Sequence, residues 1–596
     1  MADRPNLLTE DPARALRSLA VPTVLGIVFI LAVNLIDTYF VGQLGTNELA
    51  AMGFTFPVAT LVTSIGFGLG AGTTSAVSRA LGSGDESQSR RLITHGMMLG
   101  LLVVAAISLG GVATQTVMFE ALGAEPQLLP LLREYMTIWY AGAVFLVVPM
   151  VGTGALRASG DARTPAVIMA VAALSNAILD PAFIFGFGPI PAMGIRGAAI
   201  ATVLSRAVTL VAAVTVMRRR GLLDLHVPTR AELFGSWTKI LSVGVPAAIS
   251  NAIVPVATAI MTALIATYGA TSVAGYGVAS RLEGFVLIPS MALTAALTPF
   301  IGQNWGGHHP ERVAAGIRIA TRFVFGWGLG AWAVLLAFGD ALAGVFTDDP
   351  ALIGVVHTYM WIVPAGYGAS GLVSVVSASF NAVDRAIRST VLSALKSLVL
   401  AVPLAFIGSA VMGIEGIFGG LMLANVVTAA AAMIWSRSLR RVPGSVEDPV
   451  AKLRGLGDRA EAVGALVHAA LDMDRLVVSP RPINTVGFYA EGAELGHVHA
   501  TGHIDLHMPA EVHDVLIDQG HCEHHRHLHD LGWITHRVDV PDDVAEATWL
   551  LELSQAMHEF IAAAEPPRAA DFEALQLDDR LRRAAEHAVG RARAAA

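Results

Sequence analysis

The chain has 596 residues, of which 54% are hydrophobic and only 14% are charged, whereas soluble proteins carry about 25% charged residues. Together with a mean hydropathy of +0.60, this composition predicts a polytopic membrane protein and excludes an ordinary soluble enzyme. The net charge of −8 is small for this length and indicates no interaction with nucleic acid. The single cysteine, Cys522, excludes a disulfide framework.

Twelve apolar stretches are long enough to cross a bilayer, for which a helix needs about 20 residues. They run over 16–41, 53–80, 93–117, 132–156, 164–187, 195–217, 240–267, 273–303, 315–340, 356–380, 390–411 and 415–437. Arg and Lys are concentrated in every second connection and after the last stretch. Because basic residues stay on the cytoplasmic side, we expect a multi-pass protein embedded in the lipid of the inner (cytoplasmic) membrane, with both termini in the cytoplasm.

The sequence repeats itself at a spacing near 224 residues. Residues 44–53 align with 268–277, and Tyr135 aligns with Tyr359. Six helices are therefore followed by six similar helices in the same orientation. Repeats of this kind place a substrate site between two bundles, near the midplane of the bilayer.

The predicted fold is an all-α membrane protein of two six-helix lobes, followed by a small soluble α+β domain. Its four parts are an N-lobe with helices 1–6 at 1–220, a C-lobe with helices 7–12 at 221–441, a linker at 442–460, and a cytoplasmic, histidine-rich α+β domain with a helical tail at 461–596.

Two segments resemble a known transporter family. Asn-Leu-Ile-Asp-Thr-Tyr-Phe-Val-Gly at 34–42 and Pro-Phe-Ile-Gly-Gln-Asn-Trp-Gly at 299–306 are similar to motifs of the multidrug and toxic compound extrusion (MATE) transporters, and most similar to their DinF-like branch. The resemblance covers residues 10–440. It implies a V-shaped pair of lobes and antiport of organic compounds against protons or sodium ions.

Two acidic residues lie inside predicted spans, where ionisable groups are costly and indicate function. Asp37 is late in the first span, and Asp180 is late in the fifth, one helical turn after Asn176. Both carboxylates lie roughly 7–11 Å below the outer surface, and two carboxylates at one depth can share a proton or a cation. The DinF-like resemblance implies the same acidic residue and Asn-x-x-x-Asp pattern. We expect these residues, with Thr202 in the sixth span, to couple transport to H⁺ or Na⁺. The C-lobe has Met261 at the position of Asp37, so coupling is predicted in the N-lobe alone.

Other polar residues fall near the middle of predicted spans. Glu283 indicates either a site for a cationic substrate or a structural pair with nearby Arg281, and both alternatives stay open. Structural pairing is favoured for Arg206 and Lys396. Adaptable apolar side chains are predicted to line a cavity for varied substrates: Met261, Tyr276, Phe285 and Met291.

Eleven of the 19 histidines fall within 497–536. On one continuous strand the odd-numbered ones would share a face, and imidazoles so arranged suit Zn²⁺ or Ni²⁺: His497, His499, His503 and His507, together with Asp505. The pattern recurs at His525, His527 and His529. Alternatively, Gly502 breaks the strand into a hairpin, or the face is simply a polar, half-exposed sheet surface. The stretch from Glu494 to Leu506 resembles the bacterial luciferase domain, for which no chemistry is inferred.

The leading hypothesis is a secondary antiporter that exports amphipathic, cationic organic compounds in exchange for H⁺ or Na⁺. It needs no cofactor beyond the coupling ion and is not an enzyme, since no Gly-rich phosphate loop and no nucleophile elbow are found in the sequence. Protein partners are not predicted. One alternative is a flippase for lipid-linked saccharides. The other is a membrane-tethered sensor or enzyme that acts through residues 461–596.

Overall fold

The computed structural model describes residues 6–439 apart from 225, and then residues 453, 456–473, 476–481, 484–490, 493–526, 528, 531–563, 567 and 569–595. The chain divides into two compact units, Met1–Val442 and Pro443–Ala596. Most of the linker predicted at 442–460 lies outside the described residues, as do His527 and His529.

The first unit is built from α-helices. Its helices are α1 (Pro12–Gly42), α2 (Thr46–Gly82), α3 (Glu86–Ala121), α4 (Leu129–Gly142), α5 (Val144–Ala158), α6 (Arg163–Ile184), α7 (Gly194–Arg219), α8 (Arg230–Ala266), α9 (Ala270–Val286), α10 (Ile288–Gly306), α11 (Pro310–Gly344), α12 (Pro350–Ile362), α13 (Tyr367–Ala382), α14 (Ala386–Ala394) and α15 (Ala401–Ser436). A 3₁₀ turn joins α12 to α13, and a π-helical turn joins α14 to α15.

The described helices account for the twelve predicted spans. Ten segments are long and apolar enough to cross a membrane, and the pair α9–α10, bent by 46°, forms an eleventh. The last segment, Ala386–Leu439, has 54 residues and turns back on itself at Gly413, whose φ is +65°. A Cβ on Gly408 would lie 2.0 Å from the carbonyl oxygen of Gly416, although eight residues span about 12 Å in a straight helix. This segment is therefore a hairpin of two spans, and the predicted fold class is confirmed.

The two lobes meet along α2, which packs against α8 and α10 of the C-lobe. Glycines allow the backbones to approach closely. A Cβ on Gly68 would lie 2.4 Å from the carbonyl oxygen of Gly244, and a Cβ on Gly82 would lie 2.0 Å from that of Gln303. The interface is therefore intolerant of larger residues at these positions.

Polar bonds between the lobes lie at one end of the bundle. Ser75 Oγ donates to the carbonyl of Asn381 at 2.5 Å. Arg79 donates to the carbonyl of Ala382 at 3.1 Å and pairs with Asp384 at 3.5 Å. We call this the joined end, because here the last turns of α2 and α13 hold the N-lobe to the C-lobe.

The second unit is an α+β domain. Its elements are α16 (Ala460–Asp472), β1 (Leu476–Arg481), β2 (Thr485–Ala490), β3 (Ala493–His499), β4 (His503–His507), α17 (Ala510–Asp518), β5 (Glu523–His524), β6 (Trp533–Arg537), α18 (Asp543–Ala562), α19 (Ala569–Glu573) and α20 (Asp579–Ala595). The strands form one antiparallel sheet in the order β1-β2-β3-β4-β6-β5.

The stretch 495–507 is a hairpin and not one continuous strand. The chain reverses between β3 and β4 near Gly502, whose φ is +81°. Val498, Ile504 and Leu506 are buried in the core of this unit. Because side chains alternate along a strand, the odd-numbered residues of both strands lie on the opposite face of the sheet. The predicted polar face therefore exists, but it is formed by two neighbouring strands of a hairpin and not by one strand.

Candidate functional site

A buried polar cluster in the N-lobe joins α1 to α6. Asn176 Nδ2 donates to Asp37 Oδ1 at 2.9 Å and to Asp180 Oδ1 at 3.2 Å. Asp37 is 6% exposed, and Asn176 and Asp180 are both 0% exposed. Among the described residues, Asn176 Oδ1 and Asp180 Oδ2 find no hydrogen-bond partner. The structure thus brings together the two carboxylates and the amide that the sequence singled out.

Helix periodicity and close packing create this arrangement. Asn176 and Asp180 are four residues apart on α6, so their side chains lie on one face. α1 packs along α6, and Gly26 faces Ala166 and the Met169 sulfur there: a Cβ on Gly26 would lie 2.8 Å from that sulfur. The close approach of α1 brings Asp37 to the amide of Asn176.

Tyr135 and Arg206 lie near this cluster. Tyr135, buried on α4, lies within electrostatic range of Asp37, Asp180 and Arg206. The Arg206 guanidinium lies 5.8 Å from the ring centroid of Trp139. Tyr135 was singled out only as a position of the repeat, so its place beside the carboxylates depends on packing that local sequence does not reveal.

Thr202 lies on α7 and is buried. Its carbonyl oxygen accepts a hydrogen bond from Ser205 Oγ at 2.9 Å. That contact is made by the backbone, so the coupling role of the Thr202 hydroxyl stays a prediction.

The C-lobe has its own polar cluster around Glu283. Tyr359 Oη donates a hydrogen bond to Glu283 Oε2, and the Tyr276 ring centroid lies 5.9 Å from that of Tyr359. Lys396 Nζ donates to Ser370 Oγ at 2.7 Å and lies within electrostatic range of Glu283. Glu283 is therefore held by a tyrosine on α12, and Lys396 supplies the nearby positive charge.

The four apolar residues predicted to line a cavity fall into two pairs. Met261 and Tyr276 are buried in the core of the C-lobe. Phe285 and Met291 are 55% and 54% exposed. In this conformation only the second pair is accessible, and contact of any of the four with a substrate stays a prediction.

The second unit contains a cluster of imidazoles around one carboxylate. Asp505 Oδ2 lies 3.0 Å from His499 Nε2, 3.7 Å from His497 Nε2 and 3.6 Å from His525 Nε2. Thr535 Oγ1 donates to the other oxygen of Asp505 at 2.5 Å. Burial opposes ionisation of Asp505, but the hydrogen bonds from His499 and Thr535 and the charge interactions with His525 and His499 together outweigh it and lower the pKa of this carboxyl.

The predicted histidine quartet is divided by the fold. His497 and His499 lie in the cluster, but His503 and His507 do not. His503 Nδ1 is 3.2 Å from Thr501 Oγ1, and the His507 ring packs against Trp533 with centroids 5.8 Å apart. His503 and His507 each stand two residues from Asp505, which is about 6.8 Å along a strand. The cluster instead forms across strands, and His525 joins it from the connection after β5.

Comparisons with known proteins fit this division into two units. A family model described as MatE matches residues 22–182 and 246–407, and one described as Luciferase domain matches residues 492–554. The FAD transporter of Shewanella oneidensis is 36% identical over 432 residues, which cover 72% of this chain and 96% of that protein. The multidrug export protein MepA of Staphylococcus aureus is 25% identical over 433 residues, covering 71% and 92% respectively.

A solved structure gives the same picture of the first unit. The MATE transporter VcmN of Vibrio cholerae in its bent form superposes with a TM-score of 0.68 at 29% identity, covering 72% of this chain and 97% of that one.

Proposed function

This chain belongs to the MatE family of transporters, and from that premise we propose that it is a secondary active antiporter. It exports amphipathic, cationic organic compounds in exchange for H⁺ or Na⁺. In this proposal Asp37, Asn176 and Asp180 form the coupling site, and Thr202 is a further candidate ligand. The protein works in the cytoplasmic membrane with both termini in the cytoplasm.

The observation that carries this proposal is the bridged carboxylate pair. Two like charges held close in a buried site favour sharing one positive ion. A buried acceptor without a partner costs about 1–3 kcal/mol, and the cluster has such oxygens on Asn176 and Asp180. A proton or a sodium ion bound between Asp37 and Asp180 would balance the paired charges and give Asp180 Oδ2 a partner. Loading and release of that ion is the step that an antiporter couples to its cargo.

The joined end supports an alternating mechanism. Arg79 lies there, as do Arg385 and Arg388, which follow α13. Arg385 donates to the backbone carbonyl of Ser438 at 3.1 Å, and Arg388 donates to the Ser438 hydroxyl at 2.7 Å. By the distribution of basic residues this end faces the cytoplasm. The lobes would then be closed toward the cytoplasm in this state. To open toward the cytoplasm, the protein would have to break the bonds that Ser75 and Arg79 make to the end of α13 and to the turn that follows it.

A second candidate cargo is a flavin dinucleotide. The relative from Shewanella oneidensis is named a FAD transporter, and at 36% it has the higher identity of the two relatives described above. FAD carries negative phosphates, so it differs in charge from the cationic compounds of the first proposal. Lys396 in the C-lobe is a half-buried cation with which such phosphates would interact.

Efflux assays in a bacterium that lacks its own pumps test the proposal. The cells would express wild type, Asp37→Asn or Asp180→Asn, and a matched control, Asp340→Asn, whose carboxylate is 64% exposed on α11. We expect ethidium efflux from wild type and from the control, and none from the two N-lobe variants. Equal efflux from all four would contradict coupling through the N-lobe.

Two additions separate the alternatives. FAD efflux measured in parallel identifies the cargo, since flavin export without ethidium export would replace the cationic substrate by the second candidate. Deletion of everything after Val442 removes only the second compact unit. An antiporter keeps transport after this deletion, whereas a tethered sensor or enzyme loses its activity.

A further inference from the structure

The histidine cluster of the second unit brings three imidazoles to a single carboxylate oxygen. Three imidazole Nε2 atoms surround one oxygen, Asp505 Oδ2, at 3.0, 3.6 and 3.7 Å. Only the first distance, to His499, is a hydrogen bond, because a separation of about 3.6 Å is too long for one. His497 and His525 converge on the same oxygen at ion-pair distance.

The same distances fit the edges of a metal coordination tetrahedron. With metal–nitrogen and metal–oxygen bonds of about 2.0–2.2 Å, neighbouring ligand atoms of a tetrahedral zinc site lie about 3.3–3.5 Å apart. The three observed separations of 3.0, 3.6 and 3.7 Å lie on either side of this value. The ligand atoms of His497, His499 and Asp505 also lie within 4.8 Å of one another. Shifts of about an ångström or less would bring these three atoms around one ion. His525 Nε2 lies 3.6 Å from Asp505 Oδ2 but outside this group of three, so its side chain would have to turn further to become the fourth ligand.

The surroundings hold the ligands in this orientation. His497 and Asp505 are direct partners across β3 and β4, and Asp505 and Thr535 are partners across β4 and β6. Glu494 Oε1 lies 2.9 Å from His497 Nδ1, which turns the Nε2 atom toward the cluster. Thr535 occupies the other oxygen of Asp505. Carboxylates and hydroxyls in these positions are the usual outer partners of metal ligands.

We propose that His497, His499, His525 and Asp505 bind one divalent transition-metal ion of the Zn²⁺ class. Three imidazoles and one carboxylate suit such a borderline-soft cation and not Mg²⁺ or Ca²⁺, which prefer oxygen alone. Four protein ligands close the tetrahedron, so the site stabilises the domain and leaves no open position for catalysis. The ligand side chains are between 7% and 35% exposed, which leaves the ion a route from solvent.

This site is independent of the antiporter proposed above. Its four ligands all lie within the second compact unit, Pro443–Ala596. Failure of metal binding would leave the coupling proposal unchanged, and failure of coupling would leave the metal site unchanged.

The test is a metal titration of the full-length protein in detergent micelles. The chelator-treated protein would be titrated with Co²⁺, which absorbs visible light in tetrahedral sites, and the Co²⁺ would then be displaced by Zn²⁺. We expect one equivalent per chain. His499→Ala and Asp505→Asn should lower the affinity at least about 100-fold, because each removes a ligand. Glu494→Gln should lower it by about 10- to 100-fold as an outer-partner change.

His503→Ala and His507→Ala are the matched controls, since both histidines lie on β4 beside Asp505 but outside the cluster. They should bind the metal as the wild type does. Thermal unfolding gives a second readout that does not depend on absorption: Zn²⁺ should raise the unfolding temperature of wild type and of the controls, but not of Asp505→Asn. Absence of binding by wild type, undiminished binding by Asp505→Asn, or equal loss in His503→Ala would overturn the proposal.

Discussion

The amide of Asn176 is the feature of the N-lobe cluster that a single substitution tests most sharply. In Asn176→Ala the donor that bridges Asp37 and Asp180 is lost, while both carboxylates remain. The ionised state of the pair then loses two hydrogen bonds, of 2.9 and 3.2 Å. The transport cycle must pass through that state when the coupling ion is released.

The expected size of the effect follows from these distances. A hydrogen bond to a charged group contributes about 1.5–3 kcal/mol. The bond to Asp37 has the usual N–H···O length, and the bond to Asp180 lies at its limit of about 3.2 Å. If the bond to Asp37 is counted in full and the bond to Asp180 in part, the ionised pair loses at least about 2 kcal/mol of stabilisation. At 1.4 kcal/mol per tenfold change this is a factor of about 30. We therefore expect the initial rate of efflux to fall about 30-fold.

The rate would be measured as initial ethidium efflux at equal amounts of protein in the membrane. Gln115→Ala is the control. This buried amide of α3 donates to the neutral Thr137 hydroxyl at 3.1 Å, so its loss should cost only about 1 kcal/mol of stability and leave transport near the wild-type rate. Wild-type efflux from Asn176→Ala, or an equal decrease in both variants, would refute the role of the bridge.

Two predictions concern the stability of the first unit. Burial opposes ionisation of Asp161, but hydrogen bonds from Thr164 and Arg220 outweigh it and lower the pKa of this carboxyl. A lowered carboxyl pKa stabilises the fold fully above the ordinary pKa of about 4, and this contribution is lost as the pH falls through the lower pKa of the folded protein. Asp161→Asn should therefore lower the unfolding temperature at pH 7, and the difference should begin to shrink below about pH 4. A difference that stays constant on further acidification would contradict this. Gly408→Ala places a Cβ 2.0 Å from a backbone oxygen across the hairpin, whereas Gly419 has open space. Thermal unfolding should show a loss of about 1–3 kcal/mol for Gly408→Ala and little change for Gly419→Ala, and equal effects would argue against the hairpin.

The membrane architecture was predictable because its signals are local. A run of about 20 apolar residues is a property of one segment, and the repeat groups the segments into lobes. The break near Gly413 was visible between the two last apolar stretches. Asn176 and Asp180 were predictable as one face because helical periodicity fixes their relation. Their equal depth with Asp37 followed from counting residues.

The parts of the two sites that the sequence did not predict depend on contacts between segments that are distant along the chain. Glu283 has Arg281 two residues away, yet its hydrogen bond comes from Tyr359 on another helix. In the second unit, the sequence pattern along one strand favoured His503 and His507. The sheet register instead places His497 beside Asp505 and adds His525 from a later connection. Sequence periodicity describes neighbours along an element, and these clusters form across elements.

The central claim is that Asp37 and Asp180 couple an ion gradient to export. The most direct measurement uses purified protein in liposomes, with an H⁺ or a Na⁺ gradient imposed separately and ethidium movement followed over time. We expect one of the two gradients to drive transport by wild type, and neither to drive it in Asp37→Asn or Asp180→Asn, although both variants remain folded. Gradient-driven transport at the wild-type rate in either variant would contradict the account.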